Sequence, residues 1–322
     1  MTIVIGHRGA PGYRPEHTRS SYLLAFAMGA DAVEPDVVVS RDGVLVVRHE
    51  NEISGTTDVA EHPEFADRRA TRTVDGEELT GWFAEDFDWA ELATLRARER
   101  LPRIRRASAE HDGEEPILCL RDVLDLARDE SARTGRDLGV VVEIKHATYF
   151  ASIGWDVSAL VAAELRNADW ATGQRPLWIE SFEASVLDRV KEAGVAATSV
   201  FLMEASGGPY DLVAAGEPVP YAELMSPAGL DALVGRVDGI SVDKQVLLRR
   251  HPRVVADAHE RGLTVFAWTC RPENIFLSPR HRRIGGVAAF GDYRREWTAI
   301  RDLGVDGVFV DHADLGVRAF QG

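Results

Sequence analysis

Eight short apolar runs recur along this chain, and most are separated by stretches of helical periodicity. The runs are Ile3–Gly6, Ala32–Val39, Gly139–Ile144, Leu177–Ile179, Ala197–Phe201, Gly239–Val242, Thr264–Trp268 and Gly307–Val310. Runs this short, rich in Val and Ile, read as strands buried on both faces. Between them lie amphipathic stretches: Ser21–Met28, Leu120–Arg133, Val157–Asn167, Ala184–Ala193, Pro227–Val234 and Pro252–Arg261. Gly29, Gly194, Gly262 and Gly304 stand just before the next run, where a helix-ending glycine belongs. Such alternation over 322 residues predicts an α/β fold closed into a (β/α)₈ TIM barrel. The competitor is an open doubly wound sheet, and the missing GxGxxG after the first run counts against it.

One stretch breaks the rhythm. Residues 51–116 hold no clear strand–helix unit and carry 17 acidic against 9 basic residues, a net charge of −8. A connection of that length inside a barrel is expected to be an inserted subdomain or a lid. Trp82, Phe83, Phe87 and Trp89 give it apolar material to bury, and Asp88–Leu95 reads as a short helix. The expected organisation is one domain over 1–322 with an insertion over 51–116. A second long connection, rich in Gly and Pro, runs from Glu204 to Tyr221.

The formal net charge of −15 argues against nucleic acid and against non-specific binding to anionic membranes, since both need clustered Lys and Arg. A small phosphate ligand remains compatible, because one local cation overrides the global field. No apolar run approaches the roughly 20 residues of a membrane span. No basic segment followed by an apolar stretch precedes the first strand, so the expected compartment is the cytoplasm, a trimmed secreted form being the alternative. Cys119 and Cys270 are far apart, with no CxxC pair, and are expected to be free thiols.

Glu34 and Asp36 lie two apart on the second run, so their side chains share a face. Two carboxylates side by side repel unless a cation sits between them. Glu143, at the end of the next barrel strand, supplies a third, and the set suits a hard divalent cation such as Ca²⁺ or Mg²⁺. Pro35 removes one backbone donor from this strand and is expected to mark a bulge or the exit from the sheet. His7 and His49 both follow apolar runs and can act as general acid and base in one displacement. Arg8 offers a fork that suits phosphate oxygens, and Lys145 adds a point charge. His17 and Thr18 are expected to cap and orient the first helix, and Glu16 to brace the site. His62, His111, His251, His259, His281 and His312 read as structural. These parts suit phosphoryl chemistry.

The motifs resemble the glycerophosphodiester phosphodiesterase family. The matching blocks are HRG at 7–9, PEHT at 15–18, GADAVEPDVVVSRDGVLVVRHE at 29–50 and VVEIK at 141–145. Weaker matches are Glu180-Ser181-Phe182, Phe266-Ala267-Trp268-Thr269 and Gly307-Val308-Phe309-Val310-Asp311. Thr57-Asp58-Val59 and the loop after it resemble the larger, periplasmic-type members. The resemblance implies a (β/α)₈ barrel with an insertion after the second barrel strand. It implies metal ligands at Glu34, Asp36 and Glu143, catalytic histidines at His7 and His49, phosphate contacts from Arg8 and Lys145, and an aromatic wall from Trp268. The implied reaction hydrolyses a glycerophosphodiester to glycerol 3-phosphate and an alcohol. Two alternatives stand beside it: a phospholipase D-like lyase that releases a cyclic phosphate, and a non-catalytic barrel that binds phosphodiesters. Trp82, Trp89, Tyr149, Tyr210 and Trp268 are the aromatic candidates for holding a choline-like head group.

Overall fold

The computed structural model describes residues 1–250 and 253–322. Its strands are β1 (Ile3–His7), β2 (Ala32–Glu34), β3 (Asp36–Val39), β4 (Leu45–Val47), β5 (Ala70–Val74), β6 (Glu77–Gly81), β7 (Gly139–Ile144), β8 (Leu177–Ser181), β9 (Thr198–Met203), β10 (Gly239–Asp243), β11 (Thr264–Cys270) and β12 (Gly307–Val310). Parallel pairing runs from β2 through β1, β12, β11, β10, β9 and β8 to β7, and β7 returns to β2 and β3. The ring is therefore closed, with β2 and β3 sharing one stave, and the expected (β/α)₈ barrel is the fold.

Two apolar cores follow from that geometry. Inside the ring, Ile5, Ala32, Val141, Val200, Phe266 and Phe309 fill the barrel. Outside it, the opposite faces of the same strands pack against the helices. The helix Leu120–Thr134 buries Leu120, Val123, Leu124, Leu126 and Ala127, the three-and-four spacing of one face. Gly29 and Gly194 take φ of +100° and +79° after their helices, a region that favours glycine. Of the expected helix Pro252–Arg261, the described part is Val254–His259. Pro252 and His251 lie outside the described residues.

Pro35 splits the long second run into β2 and β3 without shifting its register. Val33 pairs with Val140, and Asp36 with Glu143, so no residue is inserted. Proline lacks only the donor. Its carbonyl still accepts from the Glu143 N–H at 3.0 Å. Glu34 and Asp36 thus keep the spacing of an unbroken strand.

Residues 51–116 hold a structured unit. β5 and β6 form an antiparallel hairpin whose turn is Asp75-Gly76, both at positive φ. The hairpin is polar on alternate positions and so contains no apolar run; Asp75-Gly76 is its signal in the sequence. Helix Trp89–Leu92 is shorter than the expected 88–95, and Asp88 and Glu91 close a capping box at its start. Arg105 and Arg100 tie this unit back to the barrel.

Candidate active site

The carboxyl ends of β1, β2, β7 and β8 and the start of β3 lie side by side. Register aligns His7 with Glu34, Asp36 with Glu143, and Glu143 with Glu180. All five side chains are buried. Oxygens of Glu34, Glu143 and Glu180 lie within 4.8 Å of one another. Glu34 Oε1 and Glu180 Oε2 are buried and have no hydrogen-bond partner. Burial and mutual repulsion raise Glu34 and Glu180 well above the usual carboxylate range. Glu143, raised chiefly by burial, reaches about 8. Three crowded carboxylates, two of them with an unpartnered oxygen, are a donor set that a hard divalent cation satisfies. In the sequence, Glu180 is marked only by the Glu-Ser-Phe match at the end of β8.

Asp36 sits beside this cluster with its carboxylate turned to two cations and an imidazole. Lys145 Nζ approaches at 3.0 Å, Arg8 Nε at 3.2 Å and His17 Nε2 at 2.9 Å. Burial would raise its carboxyl, but Lys145, His49 and Arg8 outweigh burial and hold it well below the usual range. Lys145 also donates to Glu143. His17 is buried between Asp36 and Tyr22, and Thr18 caps the first helix by accepting from Ser21 N–H at 3.2 Å.

Arg8 has φ of +53°, which is strained for an arginine. The surroundings over-determine that conformation. Its N–H donates to Glu34 Oε2 at 2.7 Å, and its carbonyl accepts from the His17 N–H and from Ser21 Oγ. The left-handed turn carries the guanidinium across to Glu16 and Asp36.

His7 Nδ1 is held by Asp311 Oδ1 at 2.7 Å, which leaves Nε2 as the free ring nitrogen. Arg105 at 2.5 Å and Arg271 at 2.6 Å both donate to the other oxygen of Asp311. His49 Nδ1 pairs with Glu50 at 2.5 Å. Burial and the Arg8 charge lower His7 to about 4; burial with Arg8 and Lys145 lowers His49 to about 3. Both rings are therefore neutral near pH 7. Arg100, from the insertion, bridges Glu16 and Glu50 at 2.6 and 2.7 Å. The roles of Arg100, Arg105 and Arg271 had no sequence signal, because each acts through a partner distant in the chain.

These groups open into a cavity of about 860 Å³ that His7, Arg8, His49, Glu143, Lys145 and Glu180 line. The hairpin tip contributes Asp75 and Glu77, and the loop after β9 contributes Glu204 and Tyr210. Trp268 lines it too, with Phe182 edge-on at 5.7 Å and Tyr221 beyond. Of the five aromatic head-group candidates, only Tyr210 and Trp268 reach this cavity. Trp82 is tied to Phe65 O, and Tyr149 faces Glu85. His62, His111, His259 and His281 pair with acids elsewhere, and His312 packs on Tyr13 and Phe290. His146 also stands on the cavity wall, paired with Asp75, and no motif in the sequence marks it.

The sequence model of the glycerophosphoryl diester phosphodiesterase family matches residues 7–315. A glycerophosphodiester phosphodiesterase of Bacillus subtilis is 45% identical over 318 residues, covering 97% of this chain and 84% of that protein. One of Arabidopsis thaliana is 32% identical over 330 residues, covering 95% and 82%. Among solved structures, an Oleispira antarctica phosphodiesterase in complex with the product sn-glycerol-3-phosphate matches at a TM-score of 0.66 and 20% identity, covering 100% of this chain and 98% of that one. That likeness speaks to the fold. The family match over nearly the whole chain and the 45% identity go further: the chain belongs to the glycerophosphoryl diester phosphodiesterase family.

Proposed function

We propose that this protein hydrolyses glycerophosphodiesters to glycerol 3-phosphate and an alcohol, using a divalent cation and the His7–His49 pair. The observation that carries the reading is the trio Glu34, Glu143 and Glu180, in which one buried oxygen each of Glu34 and Glu180 lacks a partner, with Glu143 and Glu180 lining a cavity walled by both histidines, Arg8 and Lys145. Glu34, Glu143 and Glu180 would hold the ion, with Asp36 alongside. The sequence expectation of Glu34, Asp36 and Glu143 shares two members with this set. The ion, Ca²⁺ or Mg²⁺, would polarise a phosphoryl oxygen and offset the charge that develops there.

The chain's own groups do the rest. Arg8 and Lys145 orient the phosphate oxygens and stabilise the growing negative charge. A neutral imidazole with its Nδ1 proton held by a carboxylate offers Nε2 as a base. Asp311 does this for His7 and Glu50 for His49. Once the base ring has taken the attacking oxygen's proton, its carboxylate stabilises the imidazolium. The other histidine serves the leaving oxygen and must first be protonated at Nε2, which the negative charge of a bound phosphodiester favours; solvent returns both rings to their starting states. The 51–116 insertion acts as a lid, since the β5–β6 tip closes one side of the cavity.

A coupled assay for glycerol 3-phosphate, with several glycerophosphodiesters and with or without chelator, tests the proposal. Activity that survives both chelation and His7→Ala would sink it. ³¹P NMR of the reaction shows whether a cyclic phosphate forms, and a cyclic end product would replace hydrolase by lyase.

A further inference from the structure

We infer that the loop following β11 is a membrane-docking element that seats the active-site face on an anionic phospholipid bilayer. Four of the large apolar side chains most exposed in the described structure fall in this one loop: Ile275, Ile284, Val287 and Phe290. Ile284 is fully exposed, at 106%, beside Gly285-Gly286. Solvent-facing aliphatics gathered at a loop tip mark an interaction surface.

The tip is a built feature. Asn274, itself buried, pins both of its flanks. Its Nδ2 donates to Arg283 O at 3.0 Å and Gly286 O at 3.2 Å, and its Oδ1 accepts from the Arg283 N–H at 2.9 Å. The backbone N–H groups of Asn274 and Ile275 donate to Ala289 O and Val287 O. Ile284 is thus held outward by a closed network of hydrogen bonds.

Charge identifies the occupant. Residues 271–295 contain six arginines and two acids, in a chain whose formal net charge is −15. Arg280, Arg282, Arg283, Arg294 and Arg295 are exposed around the apolar tip. Of the two acids, Glu273 is buried against Arg105 and Asp292 is paired with Arg283. The Arg105–Glu273 pair also brings the insertion segment bearing exposed Arg103 and Arg106 against this loop. Protruding aliphatics ringed by arginines match the boundary between anionic headgroups and acyl chains. The negative charge elsewhere is screened beyond a Debye length of about 8 Å at physiological ionic strength, so the local patch decides the contact. An anionic polymer would use the arginines and leave Ile284 and Val287 in water. A second copy meeting across a two-fold axis would set arginines against arginines.

Position gives the docking its sense. The loop leaves the carboxyl end of β11, and its first residue, Arg271, lines the catalytic cavity and holds Asp311. Seating the tip in a bilayer therefore brings the cavity's side of the barrel to the surface where phosphodiester headgroups are found.

Sedimentation of the full chain with vesicles tests this, independently of catalysis. Vesicles of equal parts phosphatidylglycerol and phosphatidylcholine are expected to carry the protein down at about 0.15 M salt, and pure phosphatidylcholine vesicles to leave it in solution. Ile284→Asp with Val287→Asp should lower the partition tenfold or more on the order set by lost aliphatic insertion. Arg280→Ala with Arg295→Ala should lower it roughly 25-fold, about fivefold per arginine. Both variants should hydrolyse a soluble glycerophosphodiester as the parent does, which shows that they fold. The inference is overturned if the anionic vesicles leave the protein in solution, if phosphatidylcholine binds it equally, or if both variants bind undiminished. It is also overturned if Ile284→Asp instead dissolves a dimer in solution.

Discussion

At the scale of single residues, the site depends on groups that hold other groups. Asp311 fixes the His7 ring through Nδ1, so Asp311→Asn should lower kcat by about 10²- to 10⁴-fold, the range of general acid–base catalysis, with KM little changed. Steady-state kinetics check it; an equal loss falling on KM would remove Asp311 from the mechanism. Glu180 separates two ligand sets. If it holds the ion, Glu180→Gln should raise the metal concentration needed for half-maximal activity at least tenfold, on the order of what disturbed metal ligation costs. A titration unchanged in Glu180→Gln and shifted in Asp36→Asn would favour the set expected from sequence. His7, Arg8, Glu34, Asp36, His49, Glu143 and Lys145 were legible because each ends a strand or sits one or two residues from one. Asp311 and Glu180 also end strands, yet their partners come from other staves, and a linear sequence does not show which stave is next.

At the scale of elements, the insertion contributes both a wall of the cavity and arginines that brace the barrel. Its segment 99–106 carries Arg100 against Glu16 and Glu50, and Arg105 against Asp311. Glu99 within it is buried, accepts from Ser108 Oγ at 2.5 Å, and is raised by burial from 4.5 to about 7. The folded state therefore binds this proton more tightly than the unfolded chain. The resulting stability is complete below about pH 4.5 and is lost as pH rises through about 7. That loss amounts to about 3 kcal/mol. Glu99→Gln should flatten the stability profile between those pH values, measured by urea unfolding; an unchanged slope would contradict the burial argument. The hairpin β5–β6 belongs to this scale as well. Its polar strands give little periodic signal, and only the folded chain shows that it lines the cavity.

For the whole molecule, closing the ring concentrates carboxylates that were spread over some 150 residues of chain. An ion that binds only the folded arrangement stabilises it by mass action, by about 2.7 kcal/mol at a hundred times its dissociation constant. Adding Ca²⁺ or Mg²⁺ to chelated protein should thus raise Tm, and the ion giving the larger shift at equal concentration is the better ligand. No shift with either would argue against the acidic trio as a cation site. The sequence by itself determined the barrel and singled out most of the polar groups that the structure gathers at its mouth. Buried strands of a parallel sheet must be continuously apolar, so a polar residue at a strand end is conspicuous. Only the tertiary structure decided how those groups are shared out. Asp36 is claimed by Lys145, Arg8 and His17, Glu180 joins Glu34 and Glu143, and an arginine-rimmed apolar tip stands on a chain of overall negative charge. Each outcome depends on which strands and loops become neighbours on closing the ring, and electrostatic partnership is set by distance in space rather than along the chain.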